Sequence, residues 1–69
     1  MDARIADIVG RMHVARITGQ KLAEESGYNA SYVSEVLNGK RGTEQTVDKL
    51  VDALARLEKK QAEMKPAED

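Results

Sequence analysis

Residues 30–41 carry the side chains of this chain best suited to chemistry. Ala30, Ser31, Tyr32, Ser34 and Glu35 supply a methyl, hydroxyls and a carboxylate at helical spacing, and Asn38, Lys40 and Arg41 follow at once. A serine hydroxyl donates or accepts a hydrogen bond, a glutamate carboxylate accepts one, and an alanine methyl makes apolar contact. Asn, Lys and Arg side chains donate hydrogen bonds and suit anionic oxygens such as those of phosphate. Gln20 and Lys21 offer a second pair of such groups upstream.

Other chemistries lack their parts. His13 is the single histidine and there is no cysteine, so neither a metal site nor a disulfide framework is expected. The serines are dispersed, with no base and acid spaced to activate one, so the chain does not read as an enzyme. Gly39 and Gly42 lack the spacing of a phosphate-cradling glycine loop. No cofactor is expected, and no small-molecule ligand either, because a core this small leaves little room for a pocket. The N-terminus shows no apolar run after its charges and no stretch approaches a membrane span, the profile of a soluble, cytoplasmic protein.

The elements that position these groups are short helices. Ile5, Ile8, Val9 and Met12 recur at helical spacing, with Asp2 as a candidate cap, and the first helix fades across residues 13–16. Thr18 reads as the next cap, with Ile17 before it and Leu22 at the fourth helical position as a hydrophobic staple. Gly27 is placed to stop that second helix. Asn29 then caps a third, Tyr28 can staple onto Val33, and Ala30, Val33, Val36 and Leu37 fall on its inner face. Gly39 ends it, residues 40–42 form a loop, and Thr43 caps a fourth helix whose stripe is Val47, Leu50, Val51, Leu54 and Leu57. Gln61 interrupts the stripe before Met64, and Pro66 closes off helix. Residues 1–58 therefore read as one folded domain and 59–69 as a charged, frayed or disordered tail. The fold class is all-α, a compact bundle of four to five short helices.

Sixty-nine residues lie near the lower limit for a self-sufficient core, so modest stability or a dimer is expected. The formal charge is −1, which counts against non-specific phosphate binding. Between residues 29 and 42, however, Lys40 and Arg41 against Glu35 leave a local +1. Exposed charges beyond about 10 Å are largely screened at moderate salt, so the local balance governs a contact there.

The order Leu22, Ala23, Gly27, Val33, Val36, then Asn38, Gly39 and Lys40 resembles the Cro/repressor-type helix-turn-helix family, with its lambda-repressor-like DNA-binding fold. The resemblance covers roughly residues 5–57. It places Ala23 where two helices must cross closely and makes residues 30–38 the recognition helix. It implies a sequence-specific transcriptional regulator of Cro/repressor type, bacterial or phage, that binds double-stranded DNA. Base-reading residues would be Ala30, Ser31, Tyr32, Ser34 and Glu35; phosphate contacts would come from Gln20, Lys21, Asn38, Lys40 and Arg41. A homodimer through the C-terminal helix, using Leu57 and Met64, would set two recognition helices about 34 Å apart. Two positions depart from the family pattern. Gln20 stands one place later than the family's usual glutamine, and Glu35 occupies a site more often held by a hydrogen-bond donor. The alternative expectation is a protein-interaction module on the same fold, an antirepressor, antitoxin or recruitment domain with little DNA binding.

Overall fold

The computed structural model describes residues 3–63. They form four helices, α1 (Ala3–Ala15), α2 (Gly19–Ser26), α3 (Ala30–Leu37) and α4 (Glu44–Glu63), with no strand among the described residues. The chain is thus a small all-α bundle, although α4 at 20 residues is not a short helix. The expected cap at Asp2 and the expectations for Met64 and Pro66 lie outside the described residues.

Three polar side chains open the last three helices. Thr18 is extended, with φ −83° and ψ 161°, and its hydroxyl accepts from the Lys21 amide at 3.1 Å. Asn29 Oδ1 accepts from the Ser31 amide at 2.7 Å, and Thr43 Oγ1 from the Thr46 amide at 3.2 Å. Each satisfies an amide that its helix cannot pair internally.

The first three helices close alike. Arg16 (φ 59°), Gly27 (φ 83°) and Gly39 (φ 78°) take the left-handed conformation. The next amide in each case returns to the last turn: Ile17 to the Met12 carbonyl, Tyr28 to that of Ala23, and Lys40 to that of Glu35, at 2.9, 3.1 and 2.9 Å. This reversal pairs orphan carbonyls and turns the chain sharply back over the bundle. At α1 the residue so twisted is an arginine, so the helix stops abruptly at Ala15 instead of fading.

The core draws on every element. Ile5, Ile8 and Met12 of α1 join Ile17, Leu22 and Ala23, then Val33 and Val36 of α3, and Val47, Leu50, Ala53 and Leu54 of α4. α4 packs on α1 and α2, while α3 is held by α1 and α2. Ile17 and Leu22 are both buried, as the staple requires, and Tyr28, Leu37, Val51 and Leu57 pack against this cluster half-buried.

Two inner-face expectations are corrected. Val9 is 44% exposed, because the core touches only the narrow row Ile5, Ile8 and Met12, and Val9 lies about 100° round the helix from Ile8. Ala30 is exposed because, as the first helical residue, its Cβ leans back toward the helix start and off the core.

α4 also continues past the start of the expected tail. α4 stays helical to Glu63, beyond the expected break at residue 59, and polar contacts hold it there. Arg11 of α1 forks onto Glu58, with Nε 3.1 Å from Oε2. Glu25 of α2 receives Arg56 at 2.9 Å and Lys60 at 2.8 Å. Gln61, the residue that breaks the apolar stripe, donates to the Ala15 carbonyl at 2.9 Å. At the other end of the helix pair, Arg4 bonds Asp48.

Two tests follow from this packing. A Cβ on Gly42 would sit 3.0 Å from Val36 Cγ2, and its φ of 106° disfavours any side chain, whereas a Cβ on Gly10 in mid-α1 meets nothing within 4 Å. Gly42→Ala should therefore destabilise the domain by about 1–3 kcal/mol. Gly10→Ala should stabilise it by about 0.5–1 kcal/mol. Chemical denaturation of both variants measures the two, and the same sign for both would contradict the packing described.

The second test concerns pH. Hydrogen bonds from Lys60, then Arg56, hold the Glu25 carboxyl below its ordinary 4.5, and a bond from Arg11 does so for Glu58. A carboxylate with a depressed folded pKa contributes stability that is complete above its unfolded value and drains away as pH falls through the folded one. The urea midpoint should drop as pH falls from about 5 to 3, and Glu25→Gln with Glu58→Gln should flatten that fall. Undiminished acid sensitivity in the double variant would show that these pairs do not stabilise the fold.

Candidate functional site

α3 is anchored by Val33 and Val36, both fully buried, so its opposite face must point outward. Ser31, Ser34, Glu35 and Asn38 recur at three- and four-residue steps and form one exposed row, with Ala30 exposed at its start. The hydroxyls of Ser31 and Ser34 have no partner among the described residues. An exposed helix face of polar side chains, with free hydroxyl donors and acceptors, is the result.

The loop after α3 is shaped by that helix's own end. The Lys40 amide returns to the Glu35 carbonyl at 2.9 Å, and the Gly39 amide to the Val36 carbonyl at 3.0 Å. The reversal sets Arg41 beside the last turn of α3, where its Nε lies 2.8 Å from Glu35 Oε1. Both partners are solvent-accessible. A residue expected to read a base and one expected to hold a phosphate are therefore joined to each other. Their six-residue separation matches no helical pairing rule, so sequence spacing offered no sign of this bond. Lys40 is exposed and makes no ion pair among the described residues.

Asn38 is the cap of α3 and turns one amide hydrogen inward, Nδ2 donating to the Ser34 carbonyl at 2.9 Å. Its remaining amide hydrogen is the one available to a ligand. Tyr32 differs from its neighbours on the exposed row. It is half-buried, its ring lies 5.3 Å from that of Tyr28 at a tilt of 48°, and its hydroxyl is 3.1 Å from Thr46 Oγ1. Tyr32 thus ties α3 to α4, and its polar atom already has a partner. Thr46, only 4% exposed, also meets Thr43 Oγ1 at 3.3 Å. Sequence reasoning passed over Thr46, whose only signal was its place three residues after a capping threonine.

Gln20 and Lys21 stand at the start of α2, where with Thr18 and Glu24 they line a shallow depression. The Lys21 amide is taken by the Thr18 hydroxyl and the Leu22 amide by the Thr18 carbonyl. The Gly19 and Gln20 amides keep no partner among the described residues. Such amides at a helix start favour an anionic group.

The charges of this surface are Lys21, Lys40 and Arg41 against Glu24 and Glu35. With Arg41 and Glu35 paired, Lys21 and Lys40 are its uncommitted cations. No group of three His, Cys, Asp or Glu side chains that could hold a metal exists among the described residues. No helix of the described chain is long and apolar enough to cross a membrane. The expected dimer residue Leu57 is half-buried against the monomer's own core, and Met64 lies outside the described residues.

Tyr32→Phe removes the bond to Thr46 while keeping the ring, and should lower stability by about 0.5–1.5 kcal/mol. Denaturation with unchanged stability would mean that the hydroxyl contributes nothing at this site. No family model, curated protein or solved structure matches the chain.

Proposed function

We propose that this protein binds double-stranded DNA as a sequence-specific transcriptional regulator, laying α3 in the major groove. One observation carries the reading. The outward row Ala30, Ser31, Ser34 and Glu35 consists of small or hydrogen-bonding side chains on a helix whose other face is buried, beside the uncommitted Lys40. The major groove admits one helix and offers donors, acceptors and methyls to side chains of these kinds. The arrangement of α2, the turn at residues 27–29 and α3 supports it, since a cross-bracing helix and a groove helix are the two parts of a helix-turn-helix. Gln20 and Lys21, with the free amides at the start of α2, serve as phosphate contacts there, as do Asn38 and Lys40 beyond α3.

Few cations are available, so affinity for arbitrary sequence is low and its salt dependence shallow. Fluorescence anisotropy with a random duplex at low salt tests the reading, followed by selection of bound fragments from a random pool. Non-specific dissociation constants of DNA-binding proteins lie in roughly the 10⁻⁴–10⁻⁶ M range. On a selected site, Ser31→Ala should cost about 1–3 kcal/mol and relax preference at one position. Absence of binding at tens of micromolar protein would reject a DNA function.

A protein-interaction module on this fold is the second reading. The near-neutral face left by the Glu35 and Arg41 pair favours it, as do Val9 at 44% and Val14 at 83% exposure on α1. In that case the same anisotropy experiment shows no binding.

A further inference from the structure

The ion pair between Glu35 and Arg41 joins a candidate base contact to a candidate phosphate contact. We propose that Glu35 is a specificity latch. It holds Arg41 away from the DNA backbone until a base in the groove, through an amino group such as that of cytosine, takes over the carboxylate. The inference rests on the DNA-binding reading of α3 and adds a rule for how the site discriminates.

Geometry supports a latch over a chance surface contact. The Lys40 amide donates to the Glu35 carbonyl at 2.9 Å, and the Arg41 Nε forms an ion pair with the same residue's carboxylate at 2.8 Å. The loop is thus folded back onto Glu35 by its backbone and its side chain together. The backbone half is a helix-terminating reversal around Gly39 and does not depend on the carboxylate. Arg41 therefore stays within reach of Glu35 without ordering a long stretch of chain for this one bond. Both side chains are solvent-accessible, so the bond can open.

On arbitrary sequence, Arg41 has two anionic choices. If it keeps Glu35, the protein loses a phosphate contact; if it leaves, the carboxylate stands unpaired beside phosphates. Either outcome weakens binding. Where the groove presents an amino donor, the carboxylate gains a partner and the guanidinium is released to a phosphate. One base is thereby read twice, directly by Glu35 and indirectly through the phosphate contact it permits. An exposed ion pair is worth little enough that the exchange is reversible, corresponding to a factor of about 1.5 to 5 in an equilibrium.

The test is a double-mutant cycle on the intact chain: wild type, Glu35→Gln, Arg41→Ala, and both together. Anisotropy with a random-sequence duplex is measured across a salt series. Glu35→Gln should tighten random-duplex binding about threefold when Arg41 is present, and at least twofold less in the Arg41→Ala background. It should also steepen the salt slope by about one phosphate contact, roughly 0.9 in log–log units, in the Arg41 background alone. On a duplex selected by the wild type, Glu35→Gln should instead weaken binding. Equal gains and equal slopes in both backgrounds would overturn the latch and leave Glu35 a plain repulsive charge, with the DNA-binding reading intact. If none of the four proteins binds any duplex at tens of micromolar, the DNA-binding reading fails and the latch with it. Because both residues are exposed, thermal denaturation should show all four folded alike.

Discussion

Three left-handed helix ends govern the shape of this molecule. At Arg16, Gly27 and Gly39 the backbone reverses and an amide doubles back onto the preceding turn. The first three helices are marginal or unstable alone at their lengths, so the apolar stripe of each must meet the others within a few residues of its end. The reversals make that possible. They bring Ile17 down onto the core after α1, carry Tyr28 into the turn before α3, and return residues 40 and 41 to the flank of α3. Gly42 completes the last of them by passing so close to Val36 that an added methyl group would push that side chain aside.

The candidate site inherits its form from these constraints. Val33 and Val36 are drawn fully inward, so Ser31, Ser34 and Glu35 are directed out by helical geometry alone. The same reversal that terminates α3 delivers Arg41 to Glu35. Fold and site are coupled there, since one backbone turn both ends the helix and sets the charge balance of its outer face. Elsewhere polar contacts do structural work that apolar ones cannot. Glu25 with Arg56 and Lys60, and Arg11 with Glu58, bind the far end of α4 to α2 and α1 after the apolar stripe has ended.

Much of the architecture was legible in the residues. Caps at Thr18, Asn29 and Thr43 declare themselves because a short polar side chain before an apolar-periodic run has few other uses. Stops at Gly27 and Gly39 are legible because glycine enters the left-handed region freely. Arg16 takes the same conformation without that signature, so the end of α1 read as a gradual fade. Val9 and Ala30 show the limit of a wheel, which gives the direction of a side chain but not the width of the neighbour that covers it.

What the sequence determined by itself is local: where helices start, which row of each is apolar, and that the outer row of α3 is small and polar. These follow from bonds and periodicities spanning four residues or fewer. The tertiary structure alone decided the partners of the charges. Glu35 meets Arg41, Glu25 meets Arg56 and Lys60, Arg11 meets Glu58, and Tyr32 meets Thr46, at separations no periodic pattern encodes. Exposed side chains of one charge are interchangeable in sequence, and only the path of the backbone selects which two come within reach.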